Sequence, residues 1–151
     1  MSEFGYTDEQ KMLAEEIIQL EINALNRWFD GDVSGYRKIW SKTNFSYFDI
    51  AKPLRIDSYG EIEPFLDDLE GKLFAENYDF VNPRVQFSND NQTGILTYQL
   101  HAKTNLIDTH YNCIEVFQKE NGKWQVIHSC WAAIRPMDWD YSTIKAAALS
   151  F

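Results

Sequence analysis

The chain has 151 residues, 44% hydrophobic and 15% aromatic, which suits one domain with its own core and excludes a disordered chain. Its formal net charge of −9 repels phosphate backbones and anionic lipids, which argues against nucleic-acid and membrane partners. No apolar run is long enough to span a membrane and no stretch resembles a signal peptide, so we expect a cytoplasmic protein. In that compartment Cys113 and Cys130 are expected to be two buried thiols, although a disulfide between their neighbouring strands is geometrically possible.

Two helices are predicted at the start of the chain. Thr7 or Asp8 can cap a first helix that runs to about Phe29. Its apolar residues recur at spacings of three and four and form one stripe: Leu13, Ile17, Leu20, Ala24 and Trp28. Gly31 and Asp32 end this helix, and Asp32 can cap a short second one.

A strand and a third helix follow. Residues 45–50 have the pattern of a strand in which Tyr47 and Asp49 share a face, and Pro53 is predicted to end it. The spacing Ser58-x-x-Glu61 is a capping box that opens a third helix.

Two more strands are predicted over residues 80–87 and 94–103. Pro83 interrupts the first of them, which favours an edge strand or a bulge. In the second, Gln99 and His101 share a face, and we expect that face to line the interior. A register shift of one residue would instead make His101 a surface residue of the strand.

The last pair of strands forms a hairpin. Residues 111–119 and 124–135 are joined through Asn121-Gly122, residues that tolerate the positive φ angles of a tight turn. Neither arm alternates simply between apolar and polar residues, so both faces of the sheet are predicted to be covered. Glu115 lies among aromatic residues on the first arm.

Strict alternation along the second arm places Ser129 and Trp131 on one face, opposite Trp124 and Val126. After Pro136 a short helix is predicted over residues 142–149. Helices followed by a four-stranded meander make an α+β domain, in which a long helix packed across a curved antiparallel sheet leaves a cone with a pocket at its open end.

Several local strings support this order of elements: Trp28-Phe29-Asp30-Gly31-Asp32, Tyr47-Phe48-Asp49, Ser58-Tyr59-Gly60-Glu61 and residues 122–131. Together they resemble the nuclear transport factor 2-like superfamily, and more narrowly its SnoaL-like and ketosteroid-isomerase-like branch, over about residues 10–136. The resemblance implies a cone-shaped, cystatin-like fold in a single domain, residues 1–151, with a tail at 137–151.

The resemblance also implies roles for two carboxyl groups. Laid against ketosteroid isomerase, Asp49 falls on the general base and Glu115 on the protonated acid of the oxyanion hole. Two tyrosine positions of that enzyme fall on Ala24 and Leu66, so the phenol that donates to the developing oxyanion is missing. Cys130 stands where many relatives carry a second histidine.

The residues themselves support acid–base chemistry without a cofactor. Aromatic surroundings disfavour the charged form of Asp49 and raise its pKa toward a range useful for a base. Glu115, costly to bury as an anion, is expected to stay protonated and donate a hydrogen bond to a carbonyl or enolate. Such a pair suits proton abstraction next to a carbonyl group.

The remaining predicted contacts are with a small hydrophobic or carbonyl-containing ligand. They comprise polar groups that fix its polar atoms and flat apolar walls: Tyr47, Phe65, Gln99, His101, Phe117, Ser129 and Trp131. No metal site is predicted, because His110 and Cys113 point to opposite faces of one strand.

Structural roles for these residues stay open beside the catalytic ones. Asp49 can instead tie the turn near Pro53. Glu115 can pair with a basic group in a buried structural link, the candidates being Arg84, Arg135 and His101. His128 is expected on the outer, interface face of the sheet.

Two functions therefore remain. The first is a small-molecule enzyme of the isomerase, cyclase or dehydratase type, and the second is a non-catalytic ligand-binding or oligomerisation module. In either case we expect a homodimer formed through the outer face of the sheet, whose apolar residues would otherwise leave a large exposed patch.

Overall fold

The computed structural model describes residues 3–134, so the helix predicted for 142–149 lies outside the described residues. A short 3-10 turn, Glu3–Gly5, precedes three helices: α1 (Asp8–Trp28), α2 (Ser34–Ile39) and α3 (Tyr59–Leu69). The strands are β1 (Ser46–Asp49), β2 (Lys52–Ile56), β3 (Tyr78–Phe87), β4 (Thr93–Lys103), β5 (Asp108–Glu120) and β6 (Lys123–Ala133). Within the described range, no helix is both long enough and apolar enough to cross a membrane.

The six strands form one curved, unclosed sheet in the order β2-β1-β6-β5-β4-β3. Strands β1 and β6 run parallel, and the other neighbouring pairs are antiparallel. The α+β fold class expected from the sequence is confirmed. The core lies between the helices and the inner face of this sheet, where Ile17 and Leu25 of α1 and Leu66 of α3 are completely buried.

Local capping positions the long helix as the sequence predicts. The Thr7 hydroxyl accepts a hydrogen bond from the backbone N–H of Gln10 (3.1 Å), and the Gln10 side chain accepts one from the backbone N–H of Thr7 (3.2 Å). This reciprocal pair satisfies N–H groups that a helix start leaves unpaired. The Ser58 hydroxyl caps α3 by accepting from the backbone N–H of Glu61 (3.2 Å).

The prediction that Pro53 ends the strand pattern is wrong. The chain turns after Asp49 and returns as β2, which contains Pro53 and pairs antiparallel with β1. Strand β2 is the outermost strand of the sheet, so a missing backbone donor there disrupts no further pairing.

The opposite edge strand is β3, which carries a bulge between Val81 and Arg84, with Asn82 at φ 52°. The edge position and the bulge, which Pro83 favours as alternatives, are therefore both present. At the tight turn between β5 and β6, Asn121 and Gly122 adopt φ angles of 52° and 77°, which confirms the predicted hairpin.

The predicted faces of the second arm of the hairpin are wrong, because β6 contains a bulge. Val116 pairs with His128 but Phe117 pairs with Val126, which leaves Ile127 as the extra residue. The extra residue reverses the alternation, so Trp124 and Val126 are buried on the same side of the sheet as Ser129 and Trp131.

Candidate functional site

A cavity of about 360 Å³ opens between the end of α1, the β1–β2 turn and the loop from β4 to β5. Its walls are mainly aromatic and aliphatic: Trp28, Phe29, Tyr47, Ile50, Ala51, Phe65, Leu69, Leu73, Leu100, Thr104, Leu106, Ile107, Thr109, Tyr111 and Trp131. Asp49 completes the lining and is its single carboxyl group among residues 3–134. A mostly apolar hollow with few polar groups is the usual form of a small-molecule site.

Asp49 is held at the cavity wall by the end of β1. The parallel pairing of β1 with β6 sets Asp49 beside Trp131, and the Tyr47 hydroxyl donates a hydrogen bond to Asp49 Oδ2 (2.7 Å). Burial raises the pKa of Asp49, although the hydrogen bonds from Tyr47 and from the backbone partly oppose the shift. The backbone N–H of Ala51 donates to Oδ1 (3.4 Å), so Asp49 also ties the turn, as one of its two expected roles required.

Aromatic rings pack around this carboxyl. The indole of Trp131 stacks on that of Trp28, with ring centroids 6.2 Å apart and an interplanar angle of 20°. Tyr111 meets Trp131 edge-on at 6.0 Å, and burial raises the pKa of its phenol, so it stays protonated and able to donate. Neither Trp28 nor Tyr111 is among the predicted ligand contacts, although Tyr111 shares its predicted face with Glu115 and Trp28 ends the helix stripe.

Glu115 lies behind Trp131 and does not line the cavity. The Trp131 indole N–H donates to Ser129 Oγ (2.8 Å), and the Ser129 hydroxyl donates to Glu115 Oε1 (2.5 Å). Burial, and next the charge of Glu21, raise the pKa of Glu115 well above its ordinary value, while Ser129 and Trp40 lower it. Glu115 is thus fully buried with a raised pKa, and Ser129 and Trp131 connect it to the cavity wall.

A second buried acid, Glu21 of α1, is absent from the sequence predictions. Its Oε2 accepts hydrogen bonds from the hydroxyls of Tyr36 (2.9 Å) and Tyr98 (2.5 Å). Burial raises the pKa of Glu21 to about 7. The signal was present in the sequence, since Glu21 stands four residues after Ile17 and four before Leu25, within the apolar stripe of the helix.

The expectation that Gln99 and His101 face the cavity is wrong. Both lie on the outer face of the sheet, where the Gln99 amide donates to Asn112 (3.1 Å) and His101 contacts His110. The alternate residues of β4 point inward and are buried: Leu96, Tyr98 and Leu100. This second set is the more apolar one, and burial of apolar area decides which face turns to the core.

The other predicted contacts divide into two groups. Tyr47, Phe65 and Trp131 line the cavity, whereas Ser129 and Phe117 are completely buried beyond it. At the two positions aligned with tyrosines of ketosteroid isomerase, this chain has Ala24 and Leu66. Both side chains are buried and apolar, so neither can donate a hydrogen bond.

Arg84 and His101, two of the three structural partners proposed for Glu115, make other contacts. Arg84 lies over the ring of Phe4 (4.9 Å), His101 is on the outer face, and Arg135 falls outside the described residues. Among the described residues, Glu115 forms its side-chain hydrogen bond with Ser129.

His128 takes the expected place, whereas only one of the two cysteines is buried as expected, since Cys130 is half-buried. His128 lies on the outer face, where its Nδ1 shares a hydrogen bond with the Ser46 hydroxyl (2.7 Å). Cys113 and Cys130 are free thiols, and they lie on opposite faces, since Cys113 pairs with the inward Trp131. No three His, Cys, Asp or Glu side chains within residues 3–134 are arranged to hold a metal ion.

No family model matches this sequence, and no curated protein matches it by sequence. Several solved structures, however, are similar to this one. A candidate ketosteroid isomerase from Parabacteroides distasonis superposes with a TM-score of 0.69 at 21% identity over 83% of this chain and 90% of its own. An NTF2-like protein from Cytophaga hutchinsonii gives 0.65 at 14% identity over 80% of this chain and 97% of its own. The association domain of C. elegans CaMKII gives 0.66 at 16% identity over 84% of this chain and 100% of its own. The chain therefore has the nuclear transport factor 2-like fold.

Proposed function

We propose that this protein binds a small, mainly apolar, carbonyl-containing molecule and moves a proton on it without a cofactor, as an isomerase, cyclase or dehydratase does. The observation that carries the proposal is the position of Asp49, the only carboxyl in the described part of the chain that lines this mainly apolar and aromatic cavity. Burial raises its pKa, and a base of raised pKa abstracts protons more effectively near neutral pH.

In this proposal Asp49 takes a proton from a carbon next to the carbonyl group, and the electron pair of that C–H bond forms an enolate. The Tyr111 hydroxyl, which also lines the cavity, is the candidate donor to the enolate oxygen. Asp49 then returns the proton to carbon. Atoms and charge balance within the substrate and one carboxyl group.

Glu115 acts in this scheme as a positioning residue. Its neutral carboxyl accepts from Ser129, which in turn accepts from Trp131, and Trp131 forms the cavity wall beside Asp49. This role replaces direct donation to the substrate, because Glu115 does not reach the cavity.

Solvent exchange tests the proposal before any natural substrate is known. A panel of small cyclic ketones and enones is incubated in D₂O with the protein, and deuterium uptake is followed by mass spectrometry. We expect uptake with the wild type, its loss in Asp49→Asn, and full uptake in Asp68→Asn, which removes an exposed carboxyl from α3. The rate should rise with pH through a midpoint above 3.8, the ordinary aspartate value, because the base must be ionised. Equal exchange by wild type and Asp49→Asn refutes the catalytic role.

A second function, a non-catalytic ligand-binding or oligomerisation module, is favoured by the outer face of the sheet. Phe48, Ile95 and Ile114 are 44%, 39% and 38% exposed there, which suits a homodimer interface. The similar association domain points the same way.

The oligomeric state, measured by light scattering, tests whether this face of the sheet forms a dimer interface. Ile114→Glu should convert a dimer to a monomer, whereas Met12→Glu, at an exposed position on α1, should not. A wild-type monomer, or a dimer that persists in Ile114→Glu, refutes the interface. Ligand binding without deuterium exchange would leave the non-catalytic function in place.

A further inference from the structure

Two of the three histidines of the chain meet on the outer face of the sheet, on the side away from the cavity. His101 of β4 and His110 of β5 are directly opposite each other in the antiparallel ladder. Their Nδ1 atoms are 2.8 Å apart. Neither residue takes part in the proposed reaction.

This contact brings two nitrogen ligands together. A hydrogen bond between two imidazole Nδ1 atoms requires one N–H and one lone pair, so a single proton occupies the space between the rings. The donor ring frees its Nδ1 lone pair when this proton leaves for solvent and another is taken up at Nε2, so that both rings stay neutral. Rotation of each ring about its Cβ–Cγ bond then turns the two lone pairs toward a common point. Neutral imidazole is a good ligand for copper, nickel and zinc.

The two strands hold these nitrogens close enough for one ion to bind both. With metal–nitrogen bonds of about 2.0–2.1 Å, two ligands at a right angle lie about 2.9 Å apart, and two at the tetrahedral angle lie about 3.3 Å apart. The present separation of 2.8 Å is near both values, and rotation of the rings can adjust it without movement of the strands. Copper is favoured because Cu²⁺ binds nitrogen ligands more tightly than the other first-row divalent ions, and imidazole with water also suits nickel.

The surroundings favour a cation. A shallow depression around the histidines is also lined by the carboxyl groups of Asp79 and Asp108 and by one opposing cation, Lys103. Asp79 is paired with His101 in the ladder, so three polar side chains form a row across β3, β4 and β5. Since no third side chain within residues 3–134 is in position to ligate, water completes the coordination.

We propose that His101 and His110 form a two-ligand site for a divalent tetragonal metal ion, copper or nickel, on the outer face of the sheet. The pair lies at the base of the β4–β5 loop, whose residues Leu106 and Ile107 form part of the cavity rim. A bound ion therefore cross-links the two strands that carry this rim.

Calorimetric titration of the protein with Ni²⁺ at about pH 7.5 tests the proposal. Ni²⁺ is the probe because, unlike Cu²⁺, it does not oxidise the free thiols. We expect one ion per chain in the wild type. His101→Asn and His110→Asn should each weaken binding about tenfold or more, since losing even an outer partner of a metal ligand costs about 10- to 100-fold.

His128→Asn is the matched control, because it removes the third histidine from the same face of the sheet. It should bind Ni²⁺ like the wild type, and so should Cys130→Ser, which removes the half-buried thiol. Cu²⁺ added to the Cys130→Ser protein should give a paramagnetic resonance spectrum with two nitrogen ligands. No binding by the wild type, equal binding by all variants, or an equal loss in His128→Asn each overturns the proposal.

Discussion

Replacing Glu21 with glutamine removes the most deeply buried ionisable group of α1. The Glu21 side chain is completely inaccessible to solvent, and its Oε1 has no hydrogen-bond partner within residues 3–134. Burial raises its pKa in the folded protein from 4.5 to about 7. Glutamine keeps an acceptor for Tyr36 and Tyr98 but cannot ionise.

The size of the expected change in the free energy of unfolding follows from proton linkage. Between pH 4.5 and about 7 the folded protein holds the Glu21 proton more tightly than the unfolded chain does. This contribution to stability is therefore complete below the unfolded pKa and is lost as pH rises through the folded pKa. At about 1.4 kcal/mol per pKa unit, the loss is about 3 kcal/mol, most of it between about pH 5 and 8. The raised pKa of Glu115 acts in the same direction.

Urea unfolding monitored by tryptophan fluorescence at about pH 5 and pH 8 measures the effect. Relative to the wild type, Glu21→Gln should gain about 2–3 kcal/mol of unfolding free energy on going from the lower to the higher pH. Glu15→Gln, on the exposed side of the same helix, should change by less than about 0.5 kcal/mol. If Glu21→Gln and the wild type lose stability in parallel as pH rises, ionisation of Glu21 does not destabilise the folded protein.

Three further substitutions test the packing and the hairpin by the same unfolding measurement. Gly94→Ala should destabilise by about 1–3 kcal/mol, because its Cβ would lie 2.7 Å from Ile17 Cδ1; a neutral effect would mean that Ile17 repacks freely. Gly122→Ala, at φ +77° in open space, should cost about 1 kcal/mol through backbone strain alone, and a stabilised variant would contradict the turn assignment. Ser129→Ala should cost about 1–3 kcal/mol, because it leaves the buried Glu115 Oε1 and the Trp131 indole N–H without their hydrogen-bond partner; an unchanged stability would contradict this network.

The features that the sequence predicts well are local. The Thr7 cap, the Ser58 cap and the Asn121-Gly122 turn depend on residues within four positions of each other, so the chain specifies them without knowledge of distant partners. The periodic apolar stripe of α1 is also local, and it predicts both the helix and its buried side.

The features that it predicts poorly depend on pairing between distant strands. The inward face of β4 was reversed, and the bulge at Ile127 was missed, because a shift of one residue exchanges the two faces of a strand. Strand β2 was missed because Pro53 is tolerated only at an edge, and a strand's position in the sheet is a property of the whole fold.

The sequence by itself determined that Asp49 and Glu115 stand on strands and that Glu115 would be buried among aromatic rings, because side-chain alternation and composition are written in the chain. Only the tertiary structure decided which of them meets a ligand. The parallel pairing of β1 with β6 brings Asp49 to the cavity wall, while the Trp131 indole, held by Ser129, lies between that cavity and Glu115. Access to a cavity depends on which side chains stand in front, and those come from strands far apart in sequence.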